Sequence, residues 1–287
     1  MGNIIGVDLG GTNIEAGTIL DGQVLKSYKV GTQAAVGGKR TMDLLKKVIS
    51  DLMTDETEAI GIGVPSVVDR KNGIVYIVYN VQNIAGWDEV HLKTILETEF
   101  GIPVHIDNDA NCFAYGEKIY GKGKDLSDFV GVTLGTGVGA GIIKNGRLIP
   151  DANCGSGEFG EIPYMGSKLE DYCGSRFFTA SPFGSGYDMA VSARNGDVEA
   201  LHLFEEYGKH LAWLVKIIVL VLDPQAIIFG GSISKAFDLF SDAIHANLDG
   251  FPYPKSIENL KILVTGQTGS GILGAGSLCF TPAGNQD

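Results

Sequence analysis

Two stretches that begin about 125 residues apart repeat one pattern: IIGVDLGGTNIEAGTILDGQVL, Ile4 to Leu25, and FVGVTLGTGVGAGIIKNGRLI, Phe129 to Ile149. Each reads as an apolar strand, a Gly/Thr turn, a second apolar strand carrying Ala-Gly, a two-residue turn and a third strand. Asp21-Gly22 and Asn145-Gly146 are hairpin signals, because a type I′ turn needs positive φ at both central residues. A three-stranded antiparallel unit at the head of each half predicts a duplicated α/β architecture. A length of 287 residues fits two domains, each with a core of its own.

The two Gly/Thr turns offer backbone amides with no Cβ in the way, the physical requirement for close approach to a phosphate. Gly10, Gly11 and Thr12 form the first turn and Gly135, Thr136 and Gly137 the second, with the threonine hydroxyls as further donors. Neither turn is a GxxxxGK[ST] loop, and GTGVGAG fails GxGxxG because Ala140 stands at the last glycine. The copies differ at one informative place, where Asp8 becomes Thr133. A carboxylate beside a phosphate turn is repulsive unless a cation lies between them, so Asp8 reads as a Mg²⁺ contact, direct or through water.

A net charge of −12 excludes nucleic acid and anionic membrane surfaces as expected partners, and no local basic patch overrides it. Four cysteines without a CxxC pair read as reduced thiols, and with no secretory signal ahead of the first strand the expected location is cytoplasmic. The most apolar run, Leu211 to Leu222, is interrupted by Lys216 and falls short of the ~20 residues of a membrane span. It predicts a buried helix.

IPVHIDNDANCFAYGEKIYG, Ile102 to Gly121, predicts a strand followed by a helix. The polar residues at the junction support two readings. Asp107, Asn108 or Asp109 caps the helix, or Asp109 is a general base at the strand end that takes a proton from an attacking hydroxyl.

Taken together, GVDLGGT, GIGVPSVVD (61–69), VQNIAGW (81–87), IDNDAN (106–111), GVTLGTGVGAGII (131–143), GSGEFGE (155–161) and LDPQAIIFGGSIS (222–234) resemble the ROK family of sugar kinases and repressors, in family order and over almost the whole chain. The resemblance implies an actin-like ATPase, ribonuclease H-like pair of α/β domains, with ATP and a hexose in a central cleft. Residues 1–115 would form the first domain, with a C-terminal helix at about 268–287 packing back on it, and 116–267 the second. It further implies Asp109 as catalytic base, Asn83 and Asn108 on sugar hydroxyls, Glu158 on the sugar from the second domain, and Gly230 and Gly231 beside the adenosine. A homodimer and the use of ATP with Mg²⁺ are part of the same expectation.

The chain departs from the family pattern in EFGEIPYMGSKLEDYCGS, which begins at Glu158. Glu161 replaces a family histidine, and the cysteine-rich zinc loop is reduced to YMGSK, with Lys168 ahead of Leu169-Glu170. Structural zinc needs about four N/S ligands, so no zinc is expected. Glu161 either accepts a sugar hydroxyl in place of the histidine or is a solvated charge. Asn13 stands where the family often has lysine. The leading expectation is phosphorylation of glucose at the 6-position, with N-acetylmannosamine kinase, fructokinase and a non-catalytic sugar-binding regulator as alternatives.

Overall fold

The computed structural model describes residues 2–76, 86–179, 185–267 and 269–280. The chain divides into two units, one from the described residues of 1–124, 148–156 and 267–287, the other from those of 125–147 and 157–266.

In the first unit, the two-residue period of β1 (Asn3–Leu9) sends Ile5, Val7 and Leu9 into the main core. Ile4 joins a second cluster on the opposite face. β2 (Asn13–Leu20) and β3 (Gln23–Gly31) complete an antiparallel meander. In α1 (Gly38–Leu52) the buried Thr41, Leu45, Val48, Ile49 and Leu52 recur at helical spacing. There follow β4 (Thr57–Val64), the two-residue strands β5 (Val68–Asp69) and β6 (Ile74–Val75), α2 (Leu92–Phe100), β7 (Val104–Asn108) and α3 (Asp109–Ile119). The sheet order is β3-β2-β1-β4-β7, with β4 parallel to β1 and β7 parallel to β4.

The second unit repeats this plan with β8 (Phe129–Leu134), β9 (Val138–Lys144) and β10 (Arg147–Leu148). After them come the hairpin of β11 (Pro163–Tyr164) and β12 (Ser167–Lys168), then α4 (Leu169–Cys173), α5 (Arg176–Thr179), α6 (Gly186–Arg194), α7 (Val198–Leu222), β13 (Ala226–Gly230), α8 (Phe237–Leu248), α9 (Pro254–Asn259) and β14 (Lys261–Val264). Its sheet runs β10-β9-β8-β13-β14, the same order with the same parallel partners. Even the register repeats: Gly6 lies opposite Gly17 and Gly131 opposite Gly141. Both predicted hairpins have positive φ at both central residues, 49° and 76° at Asp21-Gly22, 52° and 76° at Asn145-Gly146.

The apolar run at 211–222 is the second half of α7. It buries Leu211, Leu214, Val215, Ile218 and Val219 but leaves Trp213, Leu220 and Val221 exposed. Among the described residues no helix is long and apolar enough to cross a membrane.

The last helix, α10 (Ser270–Ser277), packs on β1, β4 and α3 of the first unit. Its approach is backbone to backbone. A Cβ on Gly6 would stand 2.1 Å from the Ile272 carbonyl oxygen, and one on Gly61 2.0 Å from that of Ala275. No side chain larger than hydrogen fits there.

Candidate functional site

In the first unit the carboxyl ends of three parallel strands bring the candidate residues into one row. Asp8 on β1 lies opposite Gly63 on β4, which lies opposite Asp107 on β7, with Asn108 next in line. In open α/β sheets ligands bind outside these strand ends.

Asp8 shares the strand face of Gly6, turned toward α10, and a Cβ on Gly271 would stand 2.1 Å from its Oδ2. Burial pushes the Asp8 carboxyl up to about 6; Glu15 adds to the shift and Lys29 opposes it. A desolvated carboxylate next to a second one fits a hard divalent cation, which takes oxygen ligands and supplies the missing positive charge. Mg²⁺ is therefore compatible with Asp8. Beyond it, Gly10 N–H donates to the Asn13 carbonyl at 2.9 Å and the Gly10 carbonyl accepts from Thr32 Oγ1 at 2.6 Å, while Thr12 stays exposed. Thr32 is fully buried and fixes this turn from β3's end, a role the motif alone does not signal.

At the junction of β7 and α3 the cap is Asn108. Its extended backbone, φ −60° and ψ 146°, lets Oδ1 accept from Ala110 N–H at 2.9 Å. Asn108 Nδ2 donates to the Ser66 carbonyl at 3.3 Å, which with the cap leaves one amide hydrogen and one lone pair without a partner among the described residues. Asp109 is thus not the cap, and stands exposed on the first turn of α3.

Asp107 is buried. Its Oδ1 accepts from Asn108 N–H and Asn111 Nδ2, whereas Oδ2 has no hydrogen-bond partner among the described residues and faces Arg70 Nη1 at 3.6 Å. Burial raises its carboxyl to about 6, and the Arg70 charge and the two hydrogen bonds only partly counter this. Arg70 Nη2 also donates to the Ile149 carbonyl at 2.7 Å. Asn83 lies outside the described residues.

The second unit carries the other candidates. Gly135 N–H donates to the Gly137 carbonyl at 3.0 Å, closing a turn one residue tighter than the first, and Thr136 is exposed at its tip. Thr133, in the register position of Asp8, lies opposite Gly139 and, on the parallel side, Gly230. Gly231 follows with φ 84°, its Cα against the Leu134 backbone. Glu158 and Glu161 bracket a single 3-10 turn, Phe159–Glu161, and both are exposed.

Glu161 is more than a solvated charge, because its Oε1 accepts from Lys168 Nζ at 2.6 Å. Lys168 also pairs with Glu170 at 3.2 Å. Burial acts to lower the Lys168 pKa, but the two carboxylates outweigh it and hold it above its usual value. Cys173, the one thiol within EFGEIPYMGSKLEDYCGS, is buried in α4. Among the described residues no group of three or more His, Cys, Asp or Glu side chains is placed to hold a metal ion.

Residues 4–177 and 184–281 match the ROK family. The chain belongs to the ROK family. A glucokinase of Streptomyces coelicolor is 29% identical over 319 aligned positions, covering 98% of this chain and 99% of that protein. The crystal structure of a ROK family glucokinase from Streptomyces griseus, in complex with glucose and AMPPNP, superposes with a TM-score of 0.82 at 27% identity, covering 96% of this chain and 99% of that one. A xylose repressor of Bacillus spizizenii is 27% identical over 78% of this chain and 62% of its own length. This ROK chain thus has the actin-like ATPase fold that the family resemblance implied, with one copy of the duplicated α/β plan per unit.

Proposed function

We propose that this ROK chain is an ATP-dependent sugar kinase that phosphorylates a hexose hydroxyl, with glucose at the 6-position as the first substrate to test. The observation that carries the reading is the division of labour at α3: Asn108 caps the helix, and Asp109 stands exposed beside the row formed by Asp8, Gly63 and Asp107. Similarity to glucokinases along almost the full chain supports it.

In this mechanism the Asp109 carboxylate accepts the proton of the sugar hydroxyl as its oxygen bonds to the γ-phosphorus. The bond from that phosphorus to the β,γ-bridging oxygen breaks, and ADP leaves. Asn108 and Glu158 orient the sugar through hydroxyl hydrogen bonds, joined by Asn83 on the strength of the family pattern. The amides of Gly11 and Thr12 and of Thr136 and Gly137, with the two threonine hydroxyls, receive phosphate oxygens; Gly10 and Gly135, whose N–H groups close the turns, let the phosphates approach without a Cβ in the way, and Gly230 and Gly231 leave room for the nucleoside. Mg²⁺ held at Asp8 would neutralise phosphate charge.

The test is ADP release from Mg²⁺-ATP across hexoses, hexosamines and N-acetylhexosamines, including N-acetylmannosamine and fructose. Sugar-dependent turnover that falls by about 10² to 10⁴ in Asp109→Asn supports the kinase. Similarity to a repressor favours a second reading, a sugar-binding regulator. Sugar binding without turnover on any substrate of the panel would establish that one instead.

A further inference from the structure

The Gly135–Gly137 turn is gripped from below by α4 and the residues after it. Ser175 N–H donates to the Gly135 carbonyl at 2.9 Å, Val138 N–H donates to Glu170 Oε2 at 3.2 Å, and a Cβ on Gly174 would stand 2.9 Å from the Thr136 carbonyl oxygen. Glu170 Oε2 also occupies the space beside Gly137, where a Cβ would come within 2.3 Å of it. The carboxylate therefore shapes the turn, and its other oxygen decides how firmly it is held. That oxygen, Oε1, faces Lys168 Nζ at 3.2 Å, and the same ammonium reaches Glu161 Oε1 at 2.6 Å.

We propose that Lys168 is a positioning residue that couples the Glu158–Glu161 segment to the Gly135–Val138 turn, so that the sugar-side and phosphate-side walls of the second unit keep one geometry. The proposal rests on the kinase reading above for its consequence in turnover, though not for the coupling itself.

Three observations give the coupling its stiffness. The Lys168 side chain is only 19% exposed, so the ion pairs are better shielded than an ordinary surface pair. Lys168 ends the β11–β12 hairpin, which is seated by Tyr164: its hydroxyl bonds His210 Nδ1 at 3.0 Å and its ring packs on Tyr172 and Trp213. Leu169 N–H then donates to the Ile162 carbonyl at 2.9 Å, tying the hairpin's exit to its entrance. Remove the ammonium and two carboxylates are left facing each other across a rigid hairpin. Glu170 is then driven from Val138, and the turn loses that side-chain anchor.

The test compares the wild type with Lys168→Met and Lys168→Arg in two measurements. Amide hydrogen exchange reads the turn directly, without reference to activity: Val138 N–H should exchange ~10-fold faster in K168M and at close to the wild-type rate in K168R. Steady-state kinetics should show KM for ATP raised ~5- to 10-fold in K168M with kcat changed less than ~3-fold, again restored by arginine. Unchanged exchange at Val138 overturns the proposal whatever the activity. Faster exchange with an unchanged KM for ATP in a working enzyme overturns the positioning role and leaves the ion pairs structural. If the wild type turns over no sugar, the kinase reading fails and ATP affinity by equilibrium dialysis replaces KM: weaker binding in K168M supports the coupling, equal binding overturns it. Should K168M not fold, Lys168→Gln carries the same comparison.

Discussion

The two glycine turns occupy equivalent places in equivalent sheets, yet they are held by different physics. The first is a four-residue turn pinned by a buried threonine, Thr32, with a desolvated carboxylate, Asp8, on the strand that leads into it. The second is tighter and has Thr133 in that strand position; its carboxylate, Glu170, comes from a helix 32 residues further on and accepts a backbone N–H. A duplicated backbone can thus keep its glycine turns while the charge beside them takes a different place. On the proposed kinase reading Asp8 meets a cation, whereas Glu170 meets the protein.

The largest expected difference is in activity. Asp8→Asn should lower kcat by about 10² to 10³, the size expected when a charge-stabilising contact to a transferring phosphoryl group is lost, whereas Thr133→Ala at the equivalent position should cost less than ~10-fold. Equal losses in the two variants would mean that the copies are not specialised.

The next difference is in pH dependence and belongs to the first unit. Burial pushes the carboxyls of Asp8 and Asp107 up to about 6 in the folded chain, from an ordinary value of 3.8. The folded state therefore binds more protons than the unfolded state between these values, so the contribution of each group to stability is full below about pH 4 and is lost as pH rises through 6. Denaturant unfolding in a metal chelator should show stability falling by on the order of 2 to 3 kcal/mol per group across that window, with the Asp107 share absent in Asp107→Asn.

Smaller still is the effect of one methyl group. Gly271→Ala places a Cβ against Asp8 Oδ2 and Gly137→Ala places one against Glu170 Oε2. Each should lower kcat/KM by roughly 10- to 100-fold, through displacement of a group that must be held in place. If the two turns are specialised as described, added Mg²⁺ should partly rescue the first variant and leave the second unchanged. At the bottom of the scale, Asp21→Ala and Asn145→Ala put alanine at φ 49° and 52°. Each should cost about 1 kcal/mol in thermal or denaturant unfolding, equally in the two units.

Much of this was legible in the sequence because it is local. The strand–turn–strand repeats, both type I′ hairpins and the helix over 211–222 follow from residue types within a few positions of one another. The choice of helix cap was not, since Asp107, Asn108 and Asp109 all have the right chemistry; backbone geometry selects Asn108. What holds the turns was hidden for another reason. Thr32 acts on Gly10 from 22 residues away and Glu170 on Val138 from 32, and no spacing rule announces such pairs. By sequence Glu161 fits either a sugar contact or a solvated charge, and its pairing with Lys168 depends on the hairpin that brings them side by side.

The helix α10 has a consequence for the order in which the protein can be made. Gly6 leaves the ribosome 266 residues ahead of Ile272, yet the two backbones touch. At a synthesis rate of about 5 to 20 residues per second, the first sheet waits on the order of tens of seconds with its glycine face uncovered. The second unit needs nothing after Gly266 and is complete earlier. The unit whose sheet emerges first is therefore the one completed last, and the wall against Asp8 is assembled only when α10 arrives to close it.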